Sequence, residues 1–419
     1  MKKTEIKLIN GDKAFVVEDD KVKILKSENY NEIELIDGSI AKIKDTEDYK
    51  ALKSNGYNFL FNKKNGQFVR WGKCSDYSKK IEDLQDFKMK LFLLWSNIWK
   101  EKFNVKEFMA DLDTDGSFET TAVEIVDWEI SELCDANCGF CYKSNVSYSG
   151  KNISFEDFKK TFKKLPPSVT TIAYGIGSIS LCPDLFNILN HTREHGIIPT
   201  ITINGFATNE ELDKLSSVVG ACAVSIYNKN RSYDCIKRLT DNGLEQCNIH
   251  ALICEETYEK TLEILNDIKT DSRLSKLRAI VMLSLKEKGR SVGKYHKLSQ
   301  EKFDTLFKFA IDNNIGFGFD SCSAAKALNF VDRHPEYNYM KTYIEPCEAG
   351  GKYSSYLNVN SDYFPCSFSE GLDEWKSGLS VKNCENFMKD IWFNEKTRKF
   401  GEGVKKCREC NIGCSIYDV

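Results

Sequence analysis

Leu133-Cys-Asp-Ala-Asn-Cys-Gly-Phe-Cys-Tyr142 sets three cysteines, Cys134, Cys138 and Cys141, at x3 and x2 spacing in one short stretch. It follows Val123-Glu-Ile-Val-Asp-Trp-Glu-Ile130, an apolar-rich run with strand character. A strand that opens into such a loop can wrap three thiolates around one face of a cubane cluster, and cysteine thiolates are what iron–sulfur clusters take as ligands. Three protein ligands leave one iron open to a further group. The other chemistry open to the loop is a zinc knuckle. With no histidine nearby, a tetrahedral zinc would need a distant fourth ligand.

A chain of 419 residues has room for two or three domains. Acidic and basic residues are interspersed and nearly balanced, at a net charge of −3, so the composition carries no nucleic-acid or membrane footprint. No run of about twenty apolar residues is present, and the N-terminus lacks the apolar segment of a signal peptide. A cytoplasmic protein is expected. Sixteen cysteines in such a compartment point to metal or redox chemistry rather than a disulfide framework. Cys222, Cys235, Cys247 and Cys254 lie singly in apolar runs and read as inert buried thiols.

The N-terminal 1–121 reads as a small α+β accessory region. Short strands are expected at 14–17, 21–25 and 32–36, with Asn10-Gly11 and Asp37-Gly38 as turn signals. A hairpin pairs 57–61 with 67–71, and a helix at about 77–103 carries an apolar stripe including Ile81, Leu84, Phe87, Leu91, Leu94 and Trp95. Asp111-Leu-Asp-Thr-Asp-Gly116 echoes a calcium loop. Its twelfth position is Ala122, which cannot ligate, so it reads as a polar loop.

From residue 122 the pattern becomes strand and helix in alternation. Strands are expected at 123–130, 170–174, 198–203, 222–226, 247–253 and 277–283, and helices at 154–164, 184–195, 208–216, 232–242, 257–270 and 299–313. Ser154 and Thr208 are placed to cap two of the helices. Six such units imply an α/β fold with a parallel sheet and right-handed crossovers, whose ligand sites gather at the carboxyl ends of the strands.

The Cys134-x3-Cys138-x2-Cys141 spacing, with Phe140 before the last cysteine, resembles the signature of the radical S-adenosylmethionine (SAM) superfamily. The resemblance implies a partial (β/α)6 barrel over 122–315, with a [4Fe–4S] cluster whose open iron binds the amino and carboxylate groups of SAM. It further implies reductive cleavage of SAM to a 5′-deoxyadenosyl radical. Gly175-Ile-Gly-Ser178 lies where relatives carry a Gly-Gly-Glu-Pro-like loop for the SAM amino group, so Gly175, Gly177 and Ser178 are expected at that site. Ser178 stands where the family usually has glutamate. Asn204, at the end of the third strand, and Ser225, on the fourth, match the positions that contact the ribose and the methionine carboxylate. Lys288-Gly-Arg290 resembles a Gly-Arg element that follows the sixth strand.

Residues 316–419 are a second cysteine field. Cys347, the segment Tyr356-Leu-Asn-Val-Asn-Ser-Asp-Tyr-Phe-Pro-Cys366 and the terminal Cys407-x2-Cys410-x3-Cys414 resemble a SPASM or twitch domain, which carries auxiliary [4Fe–4S] clusters. The resemblance implies at least one auxiliary cluster on Cys347, Cys366 and Cys414, completed by Cys322 or Cys410. Zinc is the alternative for Cys407, Cys410 and Cys414, and Cys384 reads as structural.

Many relatives with such a C-terminal domain modify peptides. The implied function is therefore hydrogen abstraction from a peptide or protein, such as a short precursor peptide, giving an oxidative crosslink or thioether. An electron donor such as flavodoxin or ferredoxin is implied with it. Two other readings stand beside this one: a radical SAM enzyme for a small molecule or nucleotide, and a non-catalytic iron–sulfur or zinc protein. Residues 1–120 exceed what a SAM barrel needs, and a strand edge there is expected to bind an extended peptide by β-augmentation.

Overall fold

The computed structural model describes residues 30–54, 56–72, 85–100, 122–345, 347–409, 414 and 416, with the backbone of 2–7, 13–19 and 22–27. The calcium-like loop at 111–116 and the ends of the helix expected at 77–103 lie outside these residues.

Two sheets organise the described residues. The first is an antiparallel meander of eight strands paired in chain order. They are β1 (Lys2–Lys7), β2 (Lys13–Asp19), β3 (Val22–Ser27), β4 (Asn31–Glu34), β5 (Ile40–Asp45), β6 (Tyr49–Lys53), β7 (Tyr57–Asn62) and β8 (Phe68–Gly72). Asp37-Gly38 makes the β4–β5 turn, where Gly38 takes a positive φ of 77° and Asp37 Oδ1 accepts from the Ser39 amide at 2.9 Å. β1, β5 and β6 were not expected. Each mixes lysines with apolar residues over at most six positions, too few for period-two alternation to stand out. Helix α1 (Gln85–Trp99) packs on this sheet through Trp95, which meets Trp71 edge-on at 4.5 Å between ring centroids.

The second sheet has ten strands in the order β15-β14-β13-β12-β11-β10-β9-β16-β17-β18. The six expected strands are β9 (Ile125–Glu129), β10 (Thr171–Gly175), β11 (Ile198–Ile203), β12 (Ala221–Ser225), β13 (Cys247–Ile253) and β14 (Ala279–Ser284). Helices Phe155–Phe162, Leu185–Glu194, Asn209–Val218, Lys229–Asp241, Tyr258–Thr270 and Gln300–Asp312 alternate with them as expected. Ser154 caps the first by accepting from the Asp157 amide, and Thr208 forms a reciprocal capping box with Glu211. The strand count departs from expectation. β15 (Phe317–Phe319) and β16 (Ser354–Leu357), both from the C-terminal region, extend the parallel sheet at opposite sides. β17 (Asp362–Phe364) and β18 (Leu379–Ser380) then continue it antiparallel.

One face of the parallel strands is fully buried, and the other is more open. On β13, Cys247, Ile249, Ala251 and Ile253 are buried while Asn248, His250 and Leu252 between them are only half-buried. Among the described residues no helix is long and apolar enough to cross a membrane.

The two sheets are joined by buried polar contacts. Lys50 Nζ donates to the Val169 carbonyl at 2.6 Å. Arg70 Nε donates to Glu124 Oε2 at 2.8 Å, with its guanidinium 4.0 Å from the Phe68 ring centroid and 4.1 Å from that of Tyr353. Glu124 is fully buried, and burial pushes its carboxyl well above the usual range, with Glu345 and Glu348 adding to the effect. Arg70→Ala removes the partner of this carboxylate and is expected to cost about 3–5 kcal/mol in urea unfolding. A carboxyl whose pKa is higher folded than unfolded loses stability as pH climbs above the unfolded value. The deficit should therefore be larger at about pH 8 than at about pH 5. A deficit independent of pH would show that Glu124 is not the stranded charge.

Candidate functional site

The cysteine loop leaves the carboxyl end of β9 and is pinned by two isolated bridges, Ser131 to Asn152 and Leu133 to Val146. Asn137 takes a left-handed φ of 46°, which asparagine tolerates, and turns the chain between Cys134 and Cys138. All three thiols are half-buried, and Cys134 and Cys141 are near enough for their charges to act on Cys138. The loop after β10 lies directly on this one. A Cβ on Gly177 would overlap the Cys134 Cβ and the Leu133 carbonyl oxygen, and would sit 2.8 Å from the Cys134 Cα. Gly175 is less confined, since a Cβ there would make an ordinary 3.4 Å contact with the Glu129 Cα.

Ser178 and Asn204 are brought to the cysteine loop. The Ser178 hydroxyl donates to Asp135 Oδ1 and accepts from the Asp135 amide at 3.1 Å. Asn204 Nδ2 donates to the Gly177 carbonyl at 3.1 Å and to Ser178 Oγ at 3.2 Å. In this structure these residues hold the loop in place. Phe140 stacks on Tyr227 at 5.8 Å and meets Tyr295 edge-on at 5.8 Å, and Tyr227 and Cys138 lie near enough to act on each other electrostatically. Ser225 ends β12, and its carbonyl accepts from Ser232 Oγ at 3.1 Å. The Gly-Arg element acquires a role as well. The Arg290 amide donates to the Cys141 carbonyl at 3.0 Å, and its Nε and Nη1 donate to the carbonyls of Cys138 at 2.8 Å and Asn145 at 3.1 Å.

The second cysteine set also converges. Cys322, Cys347, Cys366 and Cys414 line one cavity of about 750 Å³ with Asp127 and Lys286. β15 and β16, on opposite sides of the parallel sheet, both contribute to its wall. Burial pushes the Cys347 thiol up to about 12 and raises that of Cys366, so metal binding here must displace protons. Cys407, on helix Glu395–Glu409, is not among the lining residues, and Cys410 lies outside the described residues. Among the described residues no three ligating side chains close on a single-ion site. A cubane, whose irons are spread over several bonds, does not require that closure.

A buried polar network joins the two sets. Lys143, two residues after Cys141, pairs with Glu370 and reaches Tyr356 Oη at 2.7 Å and Glu129 Oε2 at 3.0 Å. The Tyr356 hydroxyl donates to Glu129 Oε2 at 2.9 Å, and Asn358 Nδ2 donates to Glu370 Oε1 at 2.9 Å. Tyr142 packs on Phe368 at 4.7 Å, and Lys288 Nζ donates to the Glu370 carbonyl at 2.6 Å. Asp127 is solvent-accessible where it opens into the cavity. The surrounding protein and the nearby Glu348 push its carboxyl above the ordinary aspartate value. None of Asp127, Glu129, Lys143, Tyr227, Tyr356 or Glu370 was singled out from sequence. The one available signal was Asp127 and Glu129 alternating within an apolar strand.

The architecture is a mixed α/β fold dominated by a parallel sheet, and it is shared with known structures. Crystal structures of Streptococcus suis SuiB match it with TM-scores of 0.58 (bound to S-adenosylmethionine), 0.58 (bound to precursor peptide SuiA) and 0.57. Sequence identities are 17, 16 and 16 %. The matches cover 88, 85 and 88 % of this chain and 95, 90 and 95 % of SuiB. No protein-family model and no curated protein matches the sequence. What is shared with SuiB is the fold, and it agrees with the radical SAM resemblance carried by Cys134, Cys138 and Cys141.

Gly177→Ala should displace the cysteine loop, whereas Gly175→Ala should not. After anaerobic reconstitution with iron and sulfide, Gly177→Ala is expected to hold clearly less iron than the parent, and Gly175→Ala nearly as much as the parent. Equal iron in both variants would show that the close approach at Gly177 does not govern the loop.

Proposed function

We propose that the protein is a radical SAM enzyme that modifies a peptide. The observation that carries this reading is the cysteine loop at the carboxyl end of β9, buttressed by the Gly177 loop and by Arg290, in a chain with the fold of SuiB. SuiB was crystallised with SAM and with its precursor peptide, which supports the same two ligand classes here. Cys134, Cys138 and Cys141 would hold the SAM-binding [4Fe–4S] cluster, and Cys322, Cys347, Cys366 and Cys414 an auxiliary one. With its cofactors bound, the site supplies a 5′-deoxyadenosyl radical that takes hydrogen from an unactivated carbon.

The chain's own residues orient and enclose. Phe140, Tyr227 and Tyr295 form an aromatic wall beside the cysteine loop. Asp127, with its raised pKa, can accept a proton from a substrate inside the cavity. In this reading the parallel sheet curls as the open barrel of the superfamily, 1–121 is an accessory region, and 316–419 is a SPASM/twitch-like region. An electron donor of the flavodoxin or ferredoxin kind and a cytoplasmic setting belong to the same reading. β1, the terminal strand of the antiparallel sheet among the described residues, is the edge proposed for β-augmentation by the peptide.

Cys138→Ala leaves the first cluster two thiolates and should abolish 5′-deoxyadenosine formation from SAM in the dithionite-reduced protein. Undiminished nucleoside, measured by chromatography, would refute the assignment. Removal of residues 1–29 spares Lys50 and Arg70, which join the sheets. It should abolish peptide modification while leaving uncoupled SAM cleavage within about twofold. Full modification by this truncated protein would exclude the β1 edge.

A further inference from the structure

Lys286 and Asp320 follow adjacent parallel strands, β14 and β15, whose pairing of Met282 with Phe319 brings the two side chains together. They form an ion pair in which Lys286 is only 4 % exposed, and its Nζ stands 5.0 Å from the Phe368 ring centroid. The other carboxylate oxygen of Asp320 accepts from the Ser323 hydroxyl, which is 2.6 Å from that of Ser284. The anion is thus held from two sides, and the pair cannot swing away. Burying an ammonium group is costly, and a hydrophobic residue of similar volume would pack here at least as stably. A lysine at this place asks for a role beyond stability.

Its surroundings supply one. Lys286 lines the cavity with Cys322, Cys347, Cys366 and Cys414, and the charges of Cys322 and Cys414 act on it directly. Facing the same space are Asp320, Asp127 of β9, and Glu345 and Glu348 beside Cys347. Among the described residues lining the cavity, Lys286 is the one cation. Any group bound by the four thiolates would lie against this cation and these carboxylates, with Lys288 near enough to act on Cys366 and Arg70 paired with Glu345 beyond the lining. Adding an electron to a cluster makes it more negative, so a fixed neighbouring cation favours the reduced form and an anion disfavours it.

Resting on the reading of an auxiliary cluster on these four cysteines, we propose that the Lys286–Asp320 pair sets that cluster's reduction potential. Lys286 raises it and Asp320 offsets the rise. Both are positioning residues, acting through the cluster on whatever electron it accepts.

The test uses the full chain carrying Ala at 134, 138 and 141, reconstituted anaerobically so that the C-terminal cluster alone remains. Dithionite titration with redox mediators, followed by electron paramagnetic resonance, reads the midpoint potential, and iron and sulfide analysis reads occupancy. Lys286→Met should lower the midpoint, Asp320→Asn should raise it, and Lys286→Arg should leave it near the parent value, with iron content equal in all. If Lys286→Met fails to hold iron, Lys286→Gln and Asp320→Asn carry the same opposite signs. Midpoints that stay put, or move in the same direction, at full iron content would overturn the role of the pair. A parent variant that binds neither iron nor sulfide would overturn the auxiliary cluster itself, and with it the proposal.

Discussion

Gly177 meets the backbone of Cys134 so closely that no side chain fits between them, and the rest of the site is built on that contact. Two loops from neighbouring parallel strands become one layer there. Ser178, Asp135 and Asn204 then close a hydrogen-bonded ring over the join. Arg290 grips the carbonyls of the cysteine loop from the far side. A loop carrying three thiolates has little regular structure of its own, so its shape must come from such neighbours. The carbonyls of Cys138 and Cys141 are spent on Arg290, which leaves the thiols as the groups turned to chemistry.

The second dependence is the bridge through Lys143. It links the end of β9 and the first cysteine loop to Tyr356 of β16 and to Glu370, four residues after Cys366. Burial disfavours the lysine's charge, but Glu129, Tyr142 and Glu370 hold its pKa above the ordinary value. A buried ion network of this kind is weak evidence for stability and better evidence for a defined geometry. Here it fixes the distance between the two cysteine sets, which matters wherever an electron or a radical must be passed across one substrate.

Much of this was legible in the sequence because its signals are local. The cysteine spacing, the six strand and helix pairs and the caps at Ser154 and Thr208 each lie within a few residues of chain. What was missed is long-range. Lys143 and Glu370 are separated by more than half the chain, and nothing near either residue announces the other. β15 and β16 have three and four residues, below the length at which periodicity can be read, and only pairing with β14 and β9 makes them strands. The cysteine field illustrates both cases. Cys322, one of two alternatives for completing the set, lines the cavity with Cys347, Cys366 and Cys414, whereas Cys407 is not among the described residues that line it. Ser178 and Asn204 were expected to meet a ligand, and the structure shows both engaged with the loop that would hold the cluster.

The central claim is that the Cys134 loop holds a cluster with one iron open to SAM. The most direct measurement is electron–nuclear double resonance on the reduced, reconstituted protein, using SAM isotopically labelled at its methionine amino nitrogen. The account predicts a hyperfine coupling from that nitrogen to the cluster, lost when Cys134, Cys138 and Cys141 are replaced by alanine. A cluster signal unaffected by labelled SAM at saturating concentration would contradict it.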